Sequence, residues 1–242
     1  MPNRSLVLIP GLLCDEFVWA GVIAALPSGT QTWVPDHGLH HSLPAMAQAA
    51  LQGSPAGPLW LVGHSMGGRV ALEMYRQAPE RVAGLALLDT GWLPLAGGER
   101  GDAERAQRYE LVEIAQTRGM RAAAQRWATG MVHPQQLDTP LFESILTMVA
   151  RKTPEIFAAQ IRALLARPDA TEVLATVRCP TLVMCGRQDR WSPVEQHETL
   201  AAMVPHALLK VVEAAGHMLP MEQPQATAEA LTAWLPGIPG RG

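Results

Sequence analysis

Three residues of this 242-residue chain stand where a hydroxyl can be turned into a nucleophile: Ser65, Asp189 and His217, in that chain order. A serine hydroxyl attacks a carbonyl only when a base takes its proton, and the base needs an acid to fix its tautomer. Ser65 sits in Gly63-His64-Ser65-Met66-Gly67-Gly68, a G-x-S-x-G run. The apolar run Pro58–Val62 precedes it and the helical pattern Met66–Gln77 follows. That strand–turn–helix context is what gives the motif meaning. A sharp turn lifts the hydroxyl above the sheet edge, and side chains at Gly63 and Gly67 would collide there.

The partners follow from strand ends. The run Thr181–Cys185 leads into Gly186-Arg187-Gln188-Asp189, and the run Leu208–Val212 leads into Glu213-Ala214-Ala215-Gly216-His217. Both loops fall at the C-terminal edge of a parallel sheet, where sites of open α/β sheets lie. Eight histidines compete for the role of base. His64 adjoins the serine but its backbone aims it elsewhere, and His133, His197 and His206 fall on helical or surface positions. His37, His40 and His41 form a His-x-x-His-His loop with only Asp36 nearby, a weak metal pattern that reads as a solvated or pocket-rim loop. Asp89, ending the fourth strand, is the rival acid; Asp189 is favoured. Two backbone amides, those of Met66 and Leu12, are expected to form an oxyanion hole. No cofactor or metal is implied.

The elements that must position these residues alternate. Ser5–Ile9, Gln31–Val34, Pro58–Val62, Leu85–Leu88, Thr181–Cys185 and Leu208–Val212 read as strands, mostly apolar on both faces, as in a parallel sheet covered by helices. Helical spacing marks Phe17–Leu26, Leu43–Gln52, Met66–Gln77, Pro193–Met203 and Gln223–Leu235. The β–α alternation predicts an α/β fold with a mostly parallel, doubly wound sheet of about six strands. Between the fourth and fifth strands, residues 92–178 carry five further helical stretches, too long for a loop. They predict a helical cap inserted into a core of residues 1–91 and 179–242. The tail Pro236–Gly242 is expected to be disordered.

Composition narrows the class. Hydrophobic residues make up 48% and charged residues 17%, which suits a chain with a large buried core. A net charge of −3 leaves no footprint for nucleic acid, and no apolar stretch is long enough for a membrane span. Pro10-Gly11 interrupts the first apolar run, so it reads as a strand rather than a signal peptide. Three cysteines (Cys14, Cys179, Cys185) without metal spacing point to a reduced, cytoplasmic protein.

These motifs resemble the α/β-hydrolase family over nearly the whole chain. Leu6–Trp19 is similar to its oxyanion-loop region, Gly63–Gly68 to its elbow, Gly186–Asp189 to its acid loop, and Ala215–His217 with Glu222-Gln223-Pro224 to its base loop. The likeness is to small capped esterases, among them bacterial carboxylesterases and pimeloyl-carrier methyl esterases. It implies a serine carboxylesterase acting on a small-molecule ester. Three departures stand out: Pro10-Gly11 where relatives often have His-Gly, Pro35-Asp36-His37-Gly38 where an arginine and glycine are usual, and no antiparallel hairpin before the first strand.

Apolar residues of the insertion and core edge are expected to line the pocket: Leu13, Trp92, Trp127, Met131, Phe142, Met148, Trp191 and Met218. Such a wall favours a largely apolar acyl or alcohol group. No basic clamp for a carrier phosphate is evident; Arg187 and Arg190 merely flank the acid. The fold also hosts carbon–carbon bond hydrolases, lyases, cofactor-free peroxidase-like enzymes and triad-retaining receptors, which stay open as alternatives.

Overall fold

Strands built of Val, Leu and Ile on both faces are stable only where helices cover both sides. That is how the computed structural model, which describes residues 5–235, is arranged. The strands are β1 (Ser5–Ile9), β2 (Gln31–Trp33), β3 (Leu59–His64), β4 (Val82–Leu88), β5 (Thr181–Gly186) and β6 (Leu208–Val212). They form one parallel sheet in the order β2-β1-β3-β4-β5-β6. β1, β3 and β5 are buried along their whole length. β6 is an edge strand and departs from the both-faces-buried expectation, with Leu208 58% and Leu209 38% exposed. The tail Pro236–Gly242 lies outside the described residues.

The helices are α1 (Ala20–Ala25), α2 (Leu43–Gly53), α3 (Met66–Gln77), α4 (Gly98–Arg118), α5 (Met120–Ala128), α6 (Pro140–Ala150), α7 (Pro154–Leu165), α8 (Thr171–Thr176), α9 (Val194–Met203), α10 (Leu219–Glu222) and α11 (Pro224–Trp234). Five of them, α4 to α8, fall between β4 and β5. The helix expected over Phe17–Leu26 is broken in two. Asp15 caps a 3-10 turn at Glu16–Trp19 by accepting the Phe17 N–H at 3.0 Å, and α1 then begins at Ala20. Gly21 lets α1 approach α11, because a Cβ there would meet Pro224. The short α10 was not foreseen, since its four residues are too few to show a period.

The chain leaves β1 to place β2 on one side and β3 on the other, so the sheet switches direction beside β1. Ligands of open α/β sheets bind outside the strand C-termini at such a point. The loops after β1, β3, β4 and β5 all open there.

Candidate functional site

Ser65 joins β3 to α3 with φ 54°, a left-handed conformation that a non-glycine residue adopts only when its surroundings enforce it. Three contacts do so. The Ser65 N–H donates to the Leu88 carbonyl at 2.8 Å, the Thr90 hydroxyl donates to the Ser65 carbonyl at 2.6 Å, and the Gly68 N–H donates to that same carbonyl at 3.0 Å. Space is equally restrictive: a Cβ on Gly63 would strike the Gly67 backbone, and one on Gly67 would strike the Ile9 carbonyl. The elbow therefore packs directly against the end of β1.

The structure brings Ser65, His217 and Asp189 together. Ser65 Oγ lies 2.7 Å from His217 Nε2, and His217 Nδ1 lies 2.8 Å from Asp189 Oδ2. Asp189 Oδ1 accepts the N–H groups of Trp191 and Ser192 at 2.8 and 3.0 Å. Burial by itself would raise the Asp189 pKa. The facing His217, together with those two N–H bonds, outweighs burial and holds the carboxyl below its ordinary range. An ionised Asp189 fixes the proton of His217 on Nδ1 and leaves Nε2 free to accept from the serine.

The imidazole is held by its own loop. The His217 N–H donates to the Met131 carbonyl at 2.5 Å, and Gly216 has no room for a side chain against the Met131–His133 backbone. Glu222 clamps both sides: Oε1 accepts from Gly216 and Met218 at 2.9 and 3.1 Å, and Oε2 accepts from the His133 N–H at 2.6 Å. Trp191 stacks obliquely on His217, with ring centres 5.5 Å apart. Glu222 was visible in sequence as part of a motif, but its role as a clamp was not.

Behind the triad lies a second, buried acid and base. His64 Nε2 donates to the His217 carbonyl at 2.7 Å, and burial, followed by the nearby His217, pushes its pKa down to about 3. His64 is thus a neutral strut. Asp89 is fully buried, with φ 47°, and its Oδ1 accepts from the Gly186 N–H at 3.0 Å. Burial, then the adjacent Asp189 charge, raises its pKa well above the carboxylate range, so it is protonated. A protonated Asp89 braces β5, while Asp189 alone among the two acids reaches the imidazole.

The loop after β1 is supported from two sides that sequence reasoning did not connect. His37 Nε2 donates to the Pro10 carbonyl at 3.0 Å, and the Leu13 N–H donates to Gln160 Oε1 of α7 at 2.9 Å. Burial pushes the His37 pKa down to about 4, keeping it neutral. The His-x-x-His-His run is therefore a loop whose first member holds the loop after β1. Among the described turn and loop hydrogen bonds, none uses the Leu12 or Met66 N–H. Both residues line the cavity beside Ser65.

That cavity has a volume of about 680 Å³ and opens onto Ser65 and His217. Its apolar part holds Leu12, Met66, Leu111, Trp127, Leu164 and Trp191. Trp127 and Trp191 stack edge to face at 5.7 Å. The all-apolar wall read from the sequence is corrected here. Leu13, Trp92, Met131, Phe142, Met148 and Met218 are not part of the cavity lining and pack in the core instead, their apolar periodicity serving packing. In their place stand arginines from several elements: Arg69 of α3, Arg100 and Arg108 of α4, Arg126 of α5, and Arg167. Arg187 pairs with Glu213 at the surface instead. Among the described residues no group of His, Cys, Asp or Glu side chains converges as a metal site, and no helix is long and apolar enough to cross a membrane.

The sequence model of the alpha/beta hydrolase family matches residues 6–230. A pimeloyl-[acyl-carrier protein] methyl ester esterase of Xanthomonas campestris pv. campestris is 29% identical over 251 residues, covering 97% of this chain and 96% of its own. The enzyme of the same name from Methylococcus capsulatus is 28% identical, covering 94% and 92%. A thermophilic esterase from Thermogutta terrifontis superposes with a TM-score of 0.87 at 28% identity, over 98% of this chain and 91% of that one. The enol-lactonase of Burkholderia xenovorans shares the fold at a TM-score of 0.84 and 18% identity, over 97% and 92%. With a family match across nearly its whole length and a parallel sheet of the matching kind, the chain is a member of the alpha/beta hydrolase family.

Proposed function

We propose that the protein is a serine carboxylesterase in which Ser65 attacks the carbonyl of a small-to-medium ester. His217 takes the hydroxyl proton through Nε2, and Asp189 stabilises the imidazolium that forms. The Leu12 and Met66 amides receive the oxyanion, each such donor being worth roughly 3–4 kcal/mol. The alcohol leaves with the proton that His217 returns. A water then enters and gives its proton to His217 as its oxygen attacks the acyl carbonyl, and the acid leaves as His217 returns that proton to Ser65 Oγ. In this reading α4 to α8 act as a cap over the serine, with Trp127 and Trp191 as the apolar flank of the scissile group.

The observation that carries the proposal is the unbroken hydrogen-bond chain from Ser65 Oγ through His217 to Asp189, ending in a cavity. The esterase names of the Xanthomonas and Thermogutta relatives favour an ester over a carbon–carbon bond. Steady-state hydrolysis of p-nitrophenyl esters from acetate to laurate tests it. Turnover that disappears in Ser65→Ala is expected. A folded protein that hydrolyses none of them would move the search to carbon–carbon cleavage.

A further inference from the structure

The cavity holds five arginines (Arg69, Arg100, Arg108, Arg126, Arg167) against two glutamates, Glu104 and Glu110. Asp89, also at its margin, is protonated and adds no charge. The arginines are not equivalent. Arg167 makes a bidentate pair with Glu104, with both bonds at 2.8 Å, and Arg108 Nε reaches the same carboxylate at 2.8 Å. Glu104 is thus saturated by two guanidinium groups. Arg126 has Glu110 at 3.8 Å, a loose pair.

Arg69 is left over. It lies four residues past Ser65 on α3, one helical turn from the nucleophile. Among the described residues its side chain makes one hydrogen bond, from Nη1 to the Leu93 carbonyl at 2.8 Å, and no ion pair. Gly91 makes room for it: a Cβ there would meet Arg69 Nη2 at 2.9 Å. Burial, then the charges of Arg167 and Arg108, outweigh the opposing Glu104 carboxylate and push its pKa down to about 9, so it remains a cation at neutral pH, and the one carboxylate acting on it is already paired with Arg167 and Arg108. A guanidinium lacking its anion, facing a cavity with surplus positive charge, is a receptor for a planar oxyanion.

We propose that Arg69 is a specificity-determining residue that binds a carboxylate on the ester substrate, making the preferred substrate a monoester of a dicarboxylic acid. This rests on the esterase reading above and narrows its substrate class. The ester end lies against Leu12, Met66, Trp127 and Trp191, and the free carboxylate lies against Arg69.

The test compares monomethyl esters of linear dicarboxylic acids with the matching monoamides, which have the same length and no charge. Methanol release is followed, with p-nitrophenyl butyrate as a reference in the same preparation. The acid should exceed the amide in kcat/KM by about tenfold to a hundredfold, as one charge-assisted bidentate contact supplies. The ratio should fall towards unity in Arg69→Gln, chiefly through KM. Should that variant not fold, Arg69→Lys, which keeps the charge and loses the planar fork, must still lower the ratio. A ratio near unity in the native protein, or one unchanged by either substitution, overturns the proposal while p-nitrophenyl butyrate turnover leaves the esterase reading standing. If no ester turns over, the esterase reading has failed. Calorimetric titration with glutarate then decides for Arg69 alone: binding lost in Arg69→Gln supports the carboxylate site, and no binding to the native protein ends it.

Discussion

At the residue scale, proton positions decide the chemistry. Asp189 accepts two backbone N–H bonds on one oxygen and the imidazole on the other, so its charge and direction are both fixed. An asparagine at this position could present an amide N–H to Nδ1 and stabilise the wrong tautomer. Asp189→Asn is therefore expected to lower kcat by about 10³–10⁴ with the fold intact. A loss below about tenfold would mean that Asp89 takes over as the acid, against its protonated state and its bond to Gly186. Thiol chemistry plays no part. Burial, helped by the Asp15 charge, pushes Cys14 up to about 12, and burial, helped by the nearby Asp189 charge, does the same for Cys185. Neither thiol should react with a disulfide reagent in the native protein near neutral pH, and fast native-state labelling of both would contradict their packing.

At the scale of elements, three loops from separate strands have to meet within hydrogen-bonding distance, and side chains from outside them set that meeting. His37, from the loop after β2, and Gln160, from α7, hold the loop after β1 by its Pro10 carbonyl and Leu13 amide. Replacing His37 by alanine leaves the Pro10 carbonyl buried without its donor and loosens the Leu12 amide. kcat for ester hydrolysis should fall about tenfold, in line with the loss of one buried hydrogen bond. A kcat unchanged within about twofold would mean that the loop holds its shape without His37. The elements themselves were legible: α3 and β6 have the boundaries that apolar spacing predicts, and most others differ by a residue or two. What period could not reveal was a partner far away in sequence, as His37 is from Pro10. Helix α4 shows the same blindness from another side. Its face carrying Glu104, Arg108 and Leu111 looks outward-facing in sequence because it lines a polar cavity rather than an apolar core.

At the scale of the whole molecule, the buried ionisable groups set the response to acid. His37 and His64 have folded pKa values of about 4 and about 3, below the ordinary histidine value of 6.5. Between about pH 6.5 and those values the unfolded chain binds protons that the folded chain refuses, so stability falls as pH drops through that window. Glu104 acts later. Burial opposes its ionisation, but Arg167 and Arg108 outweigh that and pull its pKa down to about 2, so its contribution is present above about pH 4.5 and is lost as pH falls towards about 2. The protonated Asp89 works the other way, favouring the fold as pH falls towards the carboxylate range, but the two histidines outnumber it; the melting temperature should decline below about pH 6, and a level profile down to about pH 4 would contradict neutral, buried His37 and His64. The six-stranded parallel sheet and the meeting of Ser65, His217 and Asp189 could be anticipated from strand ends and motif order. The charge of the cavity could not, because Arg69, Arg100, Arg108, Arg126 and Arg167 are scattered over nearly a hundred positions, and only the packing of α3, α4, α5 and the segment after α7 brings them to one wall.

The central claim is that Ser65 is the nucleophile, and covalent trapping tests it most directly. The protein is reacted with a fluorophosphonate, digested, and mapped by mass spectrometry, with residual p-nitrophenyl butyrate hydrolysis measured on the same samples. A single adduct per chain is expected on the peptide containing Ser65, formed in step with loss of turnover and absent in Ser65→Ala. Complete inactivation with the adduct on another residue, or turnover persisting after Ser65 is fully modified, would contradict it.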